Sequence, residues 1–105
     1  MTNRLDQLLQ MLNESENDSF LLFAIAKEYE KQQHLPKALE CYLKIREADP
    51  SYVGVYYHLG KLYEELGQTK KAIETYRAGI QQATTAGDQH AKSELASALM
   101  ELEDD

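Results

Sequence analysis

Apolar side chains recur along this chain at helical intervals, in runs separated by polar or glycine-bearing breaks. From Arg4 to Leu12, the residues Leu5, Leu8, Leu9 and Leu12 fall at i, i+3, i+4 and i+7, the mark of a short amphipathic helix. The polar cluster from Asn13 to Asp18 ends it. Asn17 or Asp18 can cap the next helix by accepting a bond from an orphan N–H, and that helix runs from Phe20 to about Gln33 with a core stripe of Leu22, Ile25, Ala26 and Tyr29. Pro36 suits the first turn of a third helix, where its missing N–H costs nothing. The apolar side of that helix is Ala38, Leu39, Tyr42, Leu43 and Ile45. Asp49-Pro50 halts it, because the proline ring disfavours helical geometry in the residue before it. Ser51 restarts the pattern. A fourth helix covers about Tyr52 to Leu66, Gly67 closes it as a left-handed cap, and a fifth runs from Thr69 to roughly Thr85. Gly87 and Asp88 make the last break, with Asp88 as N-cap of a sixth helix carrying Ala91, Leu95, Ala98, Leu99 and Leu102.

The stretch from Tyr56 to Tyr76 organises the rest. Tyr56, Leu59, Gly60 and Tyr63 form one apolar run, Gly67 breaks it, and Ala72, Ile73 and Tyr76 form a second, so the segment reads as a helical hairpin. Helices packed 8 to 10 Å apart leave no room for long side chains where they cross. Gly60 and Ala72 therefore let the backbones approach while tyrosines fill the flanks. A single hairpin cannot bury its own apolar face, and the chain supplies a second copy. A shift of 34 residues superposes Lys27 on Lys61, Tyr29 on Tyr63, Glu30 on Glu64, Lys37 on Lys71, Ala38 on Ala72, Glu40 on Glu74 and Tyr42 on Tyr76. The capping candidates Asn17, Ser51 and Thr85 fall in step.

With this period and these residues the chain resembles the tetratricopeptide repeat family. The second copy matches through Tyr56, Leu59-Gly60, Tyr63, Ala72 and Tyr76, and the first through Leu22, Ile25-Ala26, Tyr29, Ala38, Tyr42 and Pro50. Leu22 and Tyr56 replace the usual tryptophan, and Thr84 stands where a proline would recur. The resemblance implies an all-α right-handed superhelical stack of antiparallel helix pairs, about six helices in a single domain. Its parts are an N-terminal capping helix over 4–13, repeat 1 over 19–52, repeat 2 over 53–86 and a C-terminal capping helix over 88–103. Leu5, Leu8 and Leu9 superpose on Leu39, Tyr42 and Leu43, which puts the first helix in register with the second helix of a repeat. After a two-residue insertion near Thr84 to Gly87, Leu95, Ala96 and Leu99 fall on Leu59, Gly60 and Tyr63. The flanking helices would thus cover the exposed ends of the array. Together with Met1 they are what a complete chain, rather than part of a longer array, would carry.

Composition narrows the partners. The 105 residues can remove roughly 65% of their extended surface from water, and 28% charged with 43% hydrophobic content is that of a soluble globular protein. A formal net charge of −7 opposes binding to phosphate backbones, so nucleic acid is excluded as a partner. Glu101, Glu103, Asp104 and Asp105 concentrate negative charge at a solvated C-terminus. No apolar stretch approaches the roughly 20 residues of a membrane span, and Met1 to Leu12 is too polar for a signal-peptide core, which places the chain in the cytoplasm. Cys41 is alone and lies within a helical pattern, the setting of a small buried hydrophobe rather than a reactive thiol.

Candidate chemistry is sparse. His34, His58 and His90 sit in three different elements without ligand spacing for a metal, and there is no glycine-rich phosphate loop, nucleophile elbow or oriented Cys–His pair. No catalytic, cofactor-binding or metal-ligating residue is assigned and no cofactor is expected; a metal-dependent or thiol enzyme using Cys41 or the histidines is the remotest alternative. The tetratricopeptide resemblance implies instead that first helices line a concave groove. On that basis the partner-binding residues are Phe23, Lys27, Glu30, Tyr57, His58, Lys61 and Glu64, in a groove that also takes in Phe20, Gly54 and Glu65, with His90, Ser93, Ser97 and Met100 added by the last helix. Phe23 and Tyr57 occupy corresponding positions one turn before Lys27 and Lys61. Rings flanked by cations suit a short peptide, since the rings offer contact area with few rotors and a lysine can meet a carboxylate. Alternatively, Phe20 and Phe23 pack on the N-terminal helix and the lysines only solvate the surface. Some family members clamp the C-terminal carboxylates of chaperones with Lys and Asn; here Lys27 and Lys61 stand where those asparagines belong, so that role does not carry over. The expected function is a non-enzymatic adaptor for a protein or peptide. The alternative is self-association of terminal helices through Leu95, Leu99, Met100 and Leu102, so the chain is expected to be a monomer or weak homodimer.

Overall fold

In three of the helices the first turn is fastened by a side-chain oxygen three residues before the amide it accepts from. In the computed structural model, which describes residues 3–103, these caps are Asn3 (2.8 Å from the Asp6 amide), Asp18 (3.1 Å from Leu21) and Asp88 (3.0 Å from Ala91). Met1 and the acidic residues Asp104 and Asp105 lie outside the described residues. The helices are α1 Arg4–Glu14, α2 Ser19–Lys31, α3 Leu35–Ala48, α4 Gly54–Glu65, α5 Thr69–Ala86 and α6 Gln89–Glu103. The described residues contain no strand, and the fold is all-α and built from tetratricopeptide-type helix pairs. They group into two compact units that divide between Asp49 and Pro50.

The hairpin turns explain how α3 and α5 begin without side-chain caps. After α2 the His34 amide reaches back to the Tyr29 carbonyl at 2.8 Å and the Gln33 amide to Glu30 at 3.0 Å. After α4 the Gln68 amide bonds Tyr63 at 2.8 Å and the Gly67 amide bonds Glu64 at 3.0 Å. This double closure needs a left-handed residue at its centre, and Gln33 (φ 63°) and Gly67 (φ 75°) provide it. The carbonyls of His34 and Gln68 then accept from Ala38 and Ala72, both at 3.1 Å. Each of these two residues therefore ends one helix and starts the next.

The first unit buries Leu8 of α1, Leu21, Leu22, Ile25 and Ala26 of α2, and Ala38, Cys41, Tyr42 and Ile45 of α3. Arg4 ties α1 to Glu28 of α2 at 3.1 Å, and the Ser19 hydroxyl donates to Asp49 at 3.4 Å across the foot of the α2–α3 pair. Leu21 joins the stripe read from the sequence, while Tyr29 is only half-buried, its ring drawn to the helix end beside His34 at 6.3 Å.

The second unit buries Val55, Tyr56, Leu59, Gly60, Leu62 and Tyr63 of α4, Ala72, Thr75, Tyr76, Gly79 and Ala83 of α5, and Leu95 and Ala98 of α6. Its α4 begins at Gly54, later than the apolar pattern indicates. Tyr52 and Val53 form a tighter entry turn whose carbonyls accept from Val55 and Tyr56, both at 3.2 Å. The Tyr56 hydroxyl donates to the Pro50 carbonyl at 2.6 Å and fastens that turn. Asn17, offered as an alternative cap, takes a left-handed φ of 64° in the α1–α2 turn and leaves the capping to Asp18. Every buried side-chain nitrogen or oxygen among the described residues has a partner; even Thr75, inside α5, donates back to the Lys71 carbonyl at 2.7 Å.

Candidate functional site

The repeat places the same three polar side chains together in each unit. On α2, the Lys27 ammonium stands 3.8 Å from the Glu30 carboxylate, which accepts the hydroxyl of Tyr42 from α3. On α4, Lys61 stands 3.7 Å from Glu64, which accepts the hydroxyl of Tyr76 from α5. Helical i, i+3 spacing brings each lysine to its glutamate, and the hairpin brings the tyrosine across. Both phenols are pushed well above their ordinary pKa, first by burial and then by the hydrogen bond and charge of the glutamate; for Tyr76, Tyr57 and Glu101 add to the effect. Each lysine expected to meet a partner's carboxylate thus already has a carboxylate on its own helix.

Aromatic rings accompany each set. Phe23 meets Tyr42 edge-on at 5.8 Å. Tyr57 lies 6.5 Å from Tyr76 at a 41° tilt and meets His58 edge-on at 5.7 Å, and the Lys61 ammonium sits 5.5 Å over its ring. Phe23, Lys27 and Glu30 are therefore gathered in the first unit, and Tyr57, His58, Lys61 and Glu64 in the second. Phe20 is 74% exposed.

A cleft of about 370 Å³ opens in the second unit, where α4 contributes Tyr57 and Lys61 and α6 contributes His90, Ser93 and Ser97. His58 and Met100 do not line it. Three further residues do, namely Glu94, Ala98 and Glu101, which the sequence reading omitted. They extend the i, i+3, i+4, i+7 row that starts at His90, so the periodicity of α6 already carried them.

Gly79 was also missed. A Cβ there would lie 2.5 Å from the Tyr56 Cβ and 3.0 Å from a Leu95 methyl, so the bare backbone is what admits both neighbours. Cys41 is buried, and burial raises its thiol pKa, which disfavours the thiolate that any nucleophilic role requires. Among the described residues no three His, Cys, Asp or Glu side chains converge to hold a metal ion, and no helix is long and apolar enough to cross a membrane.

Comparison with known proteins places this geometry in a family. A family model described as regulator of microtubule dynamics protein 1-3 matches residues 24–103. The crystal structure of a tetratricopeptide repeat domain protein from Salinibacter ruber is 45% identical, with a TM-score of 0.78, covering 82% of this chain and 96% of that one. The solution structure of a Bordetella parapertussis protein is 26% identical, with a TM-score of 0.83, covering 98% and 90%. A TPR repeat-containing protein of Pseudomonas aeruginosa is 27% identical over 99 residues, 94% of each chain.

Proposed function

Starting from the fact that this chain belongs to the tetratricopeptide-repeat proteins, in the family described as regulator of microtubule dynamics protein 1-3, we propose that it is a cytoplasmic, non-enzymatic adaptor. Tetratricopeptide repeats are in general a protein-interaction fold. Here the first helix of each repeat presents a recognition face to a peptide or helix of another protein. In the first unit Phe23 is the anchor beside Lys27 and Glu30, and in the second Tyr57 is the anchor beside His58, Lys61 and Glu64. The observation that carries this proposal is the α4–α6 cleft, where Tyr57 and Lys61 meet a row of small and polar side chains from α6. A rigid ring beside open volume is the kind of feature that supplies most of the energy of a peptide interface. The family description is that of a protein acting on a protein assembly, and it accords with a protein partner.

The test removes ring area without altering charge. In affinity capture followed by mass spectrometry, the Phe23→Ala, Tyr57→Ala double variant should lose the partner held by the native chain while its helical circular dichroism is kept. Undiminished capture would count against the groove.

Self-association through α6 is the second reading, favoured by Met100 at 69% exposure. Leu95, earlier placed on that flank, is 1% exposed and unavailable to it, which leaves Leu99, Met100 and Leu102. Sedimentation at micromolar concentration separates the two: a strictly monomeric species removes self-association.

A further inference from the structure

The charges around the α4–α6 cleft specify the partner more closely than its shape does. Its one lysine, Lys61, lies over the Tyr57 ring at 5.5 Å and 3.7 Å from the Glu64 carboxylate, so its charge is met within α4. Across from it, Glu94 and Glu101 line the cleft and form no ion pair among the described residues. With Glu64, carboxylates outnumber ammonium groups here three to one. Glu101 also acts inward, since its charge is one of the causes that keep the Tyr76 phenol protonated. An anionic peptide would bring more negative charge into this field without a cation to receive it, and a cationic one would meet opposite charge over an aromatic floor.

We infer that the cleft between α4 and α6 receives a basic segment of the partner, with Lys or Arg side chains set against Glu94 and Glu101. The inference rests on the adaptor reading and reverses the sign of the ligand expected from the groove lysines alone. Spacing sharpens it. Glu101 lies seven positions after Glu94, roughly 10 Å along the axis at about 1.5 Å per residue. A peptide in the polyproline II conformation returns to the same face every three residues, about 9 Å along its axis, so the fitting sequence carries a basic residue at every third position. The small side chains of Ser93, Ser97 and Ala98 leave the space between the two carboxylates open to the stems.

Three fluorescein-labelled nonapeptides, carrying lysine, glutamine or glutamate at every third position, test this on the full chain by fluorescence anisotropy and amide NMR shifts. The lysine peptide should bind with shifts centred on Lys61, Ser93 and Ser97, and weaken as salt is added. Glu94→Gln with Glu101→Gln, both at exposed positions, should weaken it about tenfold, as two exposed charge pairs imply. Equal or tighter binding of the glutamate or glutamine peptide, indifference to the double variant, or no binding of any peptide overturns the inference. Shifts of the same amides on concentrating the protein alone would assign the cleft to a second copy, and also overturn it. If the natural partner still needs Phe23 and Tyr57 while the glutamine variant captures it fully, only the basic-segment inference falls. If the ring variant also retains the partner, the adaptor reading falls with it.

Discussion

In the first unit Ala26 is fully buried, and Tyr42 meets Phe23 edge-on at 5.8 Å while donating to Glu30. In the second unit Gly60 occupies the equivalent place. A Cβ there would fall 2.2 Å from a ring carbon of Tyr76, which lies 6.5 Å from Tyr57 and donates to Glu64. The same lysine, glutamate and tyrosine recur, and both phenol rings are wholly buried. Their surroundings differ, because the Tyr76 ring lies against the bare backbone of Gly60 while the first unit carries Ala26 at that repeat position. Position 26 and position 60 are thus equivalent in the repeat and not interchangeable in packing.

The largest effect that would break this comparison is at the small residue. Gly60→Ala should destabilise by about 2 kcal/mol, since forcing Tyr76 aside outweighs the roughly 1 kcal/mol that alanine gains over glycine in a helix. Ala26→Gly should lose about 1 to 2 kcal/mol for the opposite reasons, a deleted buried methyl and a looser helix. Urea unfolding decides it; a neutral or stabilising Gly60→Ala would mean that Tyr76 can adopt the arrangement of Tyr42, and the contrast would vanish.

Next in size is the alkaline response shared by the two units. Tyr42 and Tyr76 hold their protons above the ordinary phenol range, so the unfolded chain releases protons first as pH rises through about 10. The unfolded state then binds fewer protons than the native one, and stability is intact below pH 10 and falls above it. Absorbance near 295 nm should show two phenols that ionise only as helicity is lost. Tyr42→Phe with Tyr76→Phe should cost about 1 to 2 kcal/mol at pH 7 and flatten the alkaline loss. A loss of equal steepness in the double variant would assign the alkaline response to other groups.

The smallest effect concerns the hairpin turns. Gln33 and Gly67 hold the same left-handed position with φ of 63° and 75°, yet only glycine does so without strain from a Cβ. Gln33→Gly should stabilise by about 0.5 to 1 kcal/mol, and Gly67→Gln should destabilise by about 1 kcal/mol. Opposite shifts in thermal midpoint are the expected result, and equal signs would show that the two turns are not the same structure.

The helices and their pairing were legible because each rests on local chemistry. Leu5, Leu8, Leu9 and Leu12 state the first helix by spacing alone, Asp88 announces the last by its side-chain oxygen, and Gly67 marks a turn by its missing Cβ. The start of α4 was less legible, because the hydroxyl of Tyr56 reaches back to Pro50 and no local propensity encodes that bond. The site divides the same way. Tyr57, Lys61, His90, Ser93 and Ser97 could be named because the tetratricopeptide resemblance implies which helix faces line a groove, yet the hydroxyls of Tyr42 and Tyr76 that Glu30 and Glu64 accept come from the following helix and become visible only when the side chains are placed.

What the amino-acid sequence determined by itself is the set of six amphipathic helices, their breaks and the 34-residue register, since spacing, caps and turn residues act within a few positions of one another. Tertiary structure alone decided that Gly79 must be bare to seat Tyr56 and Leu95, that Tyr76 lies on Gly60, and that Glu94 and Glu101 of α6 face a cleft shared with Tyr57 and Lys61 of α4. These depend on distances between side chains on different helices, and close packing sets such distances to within a methyl group.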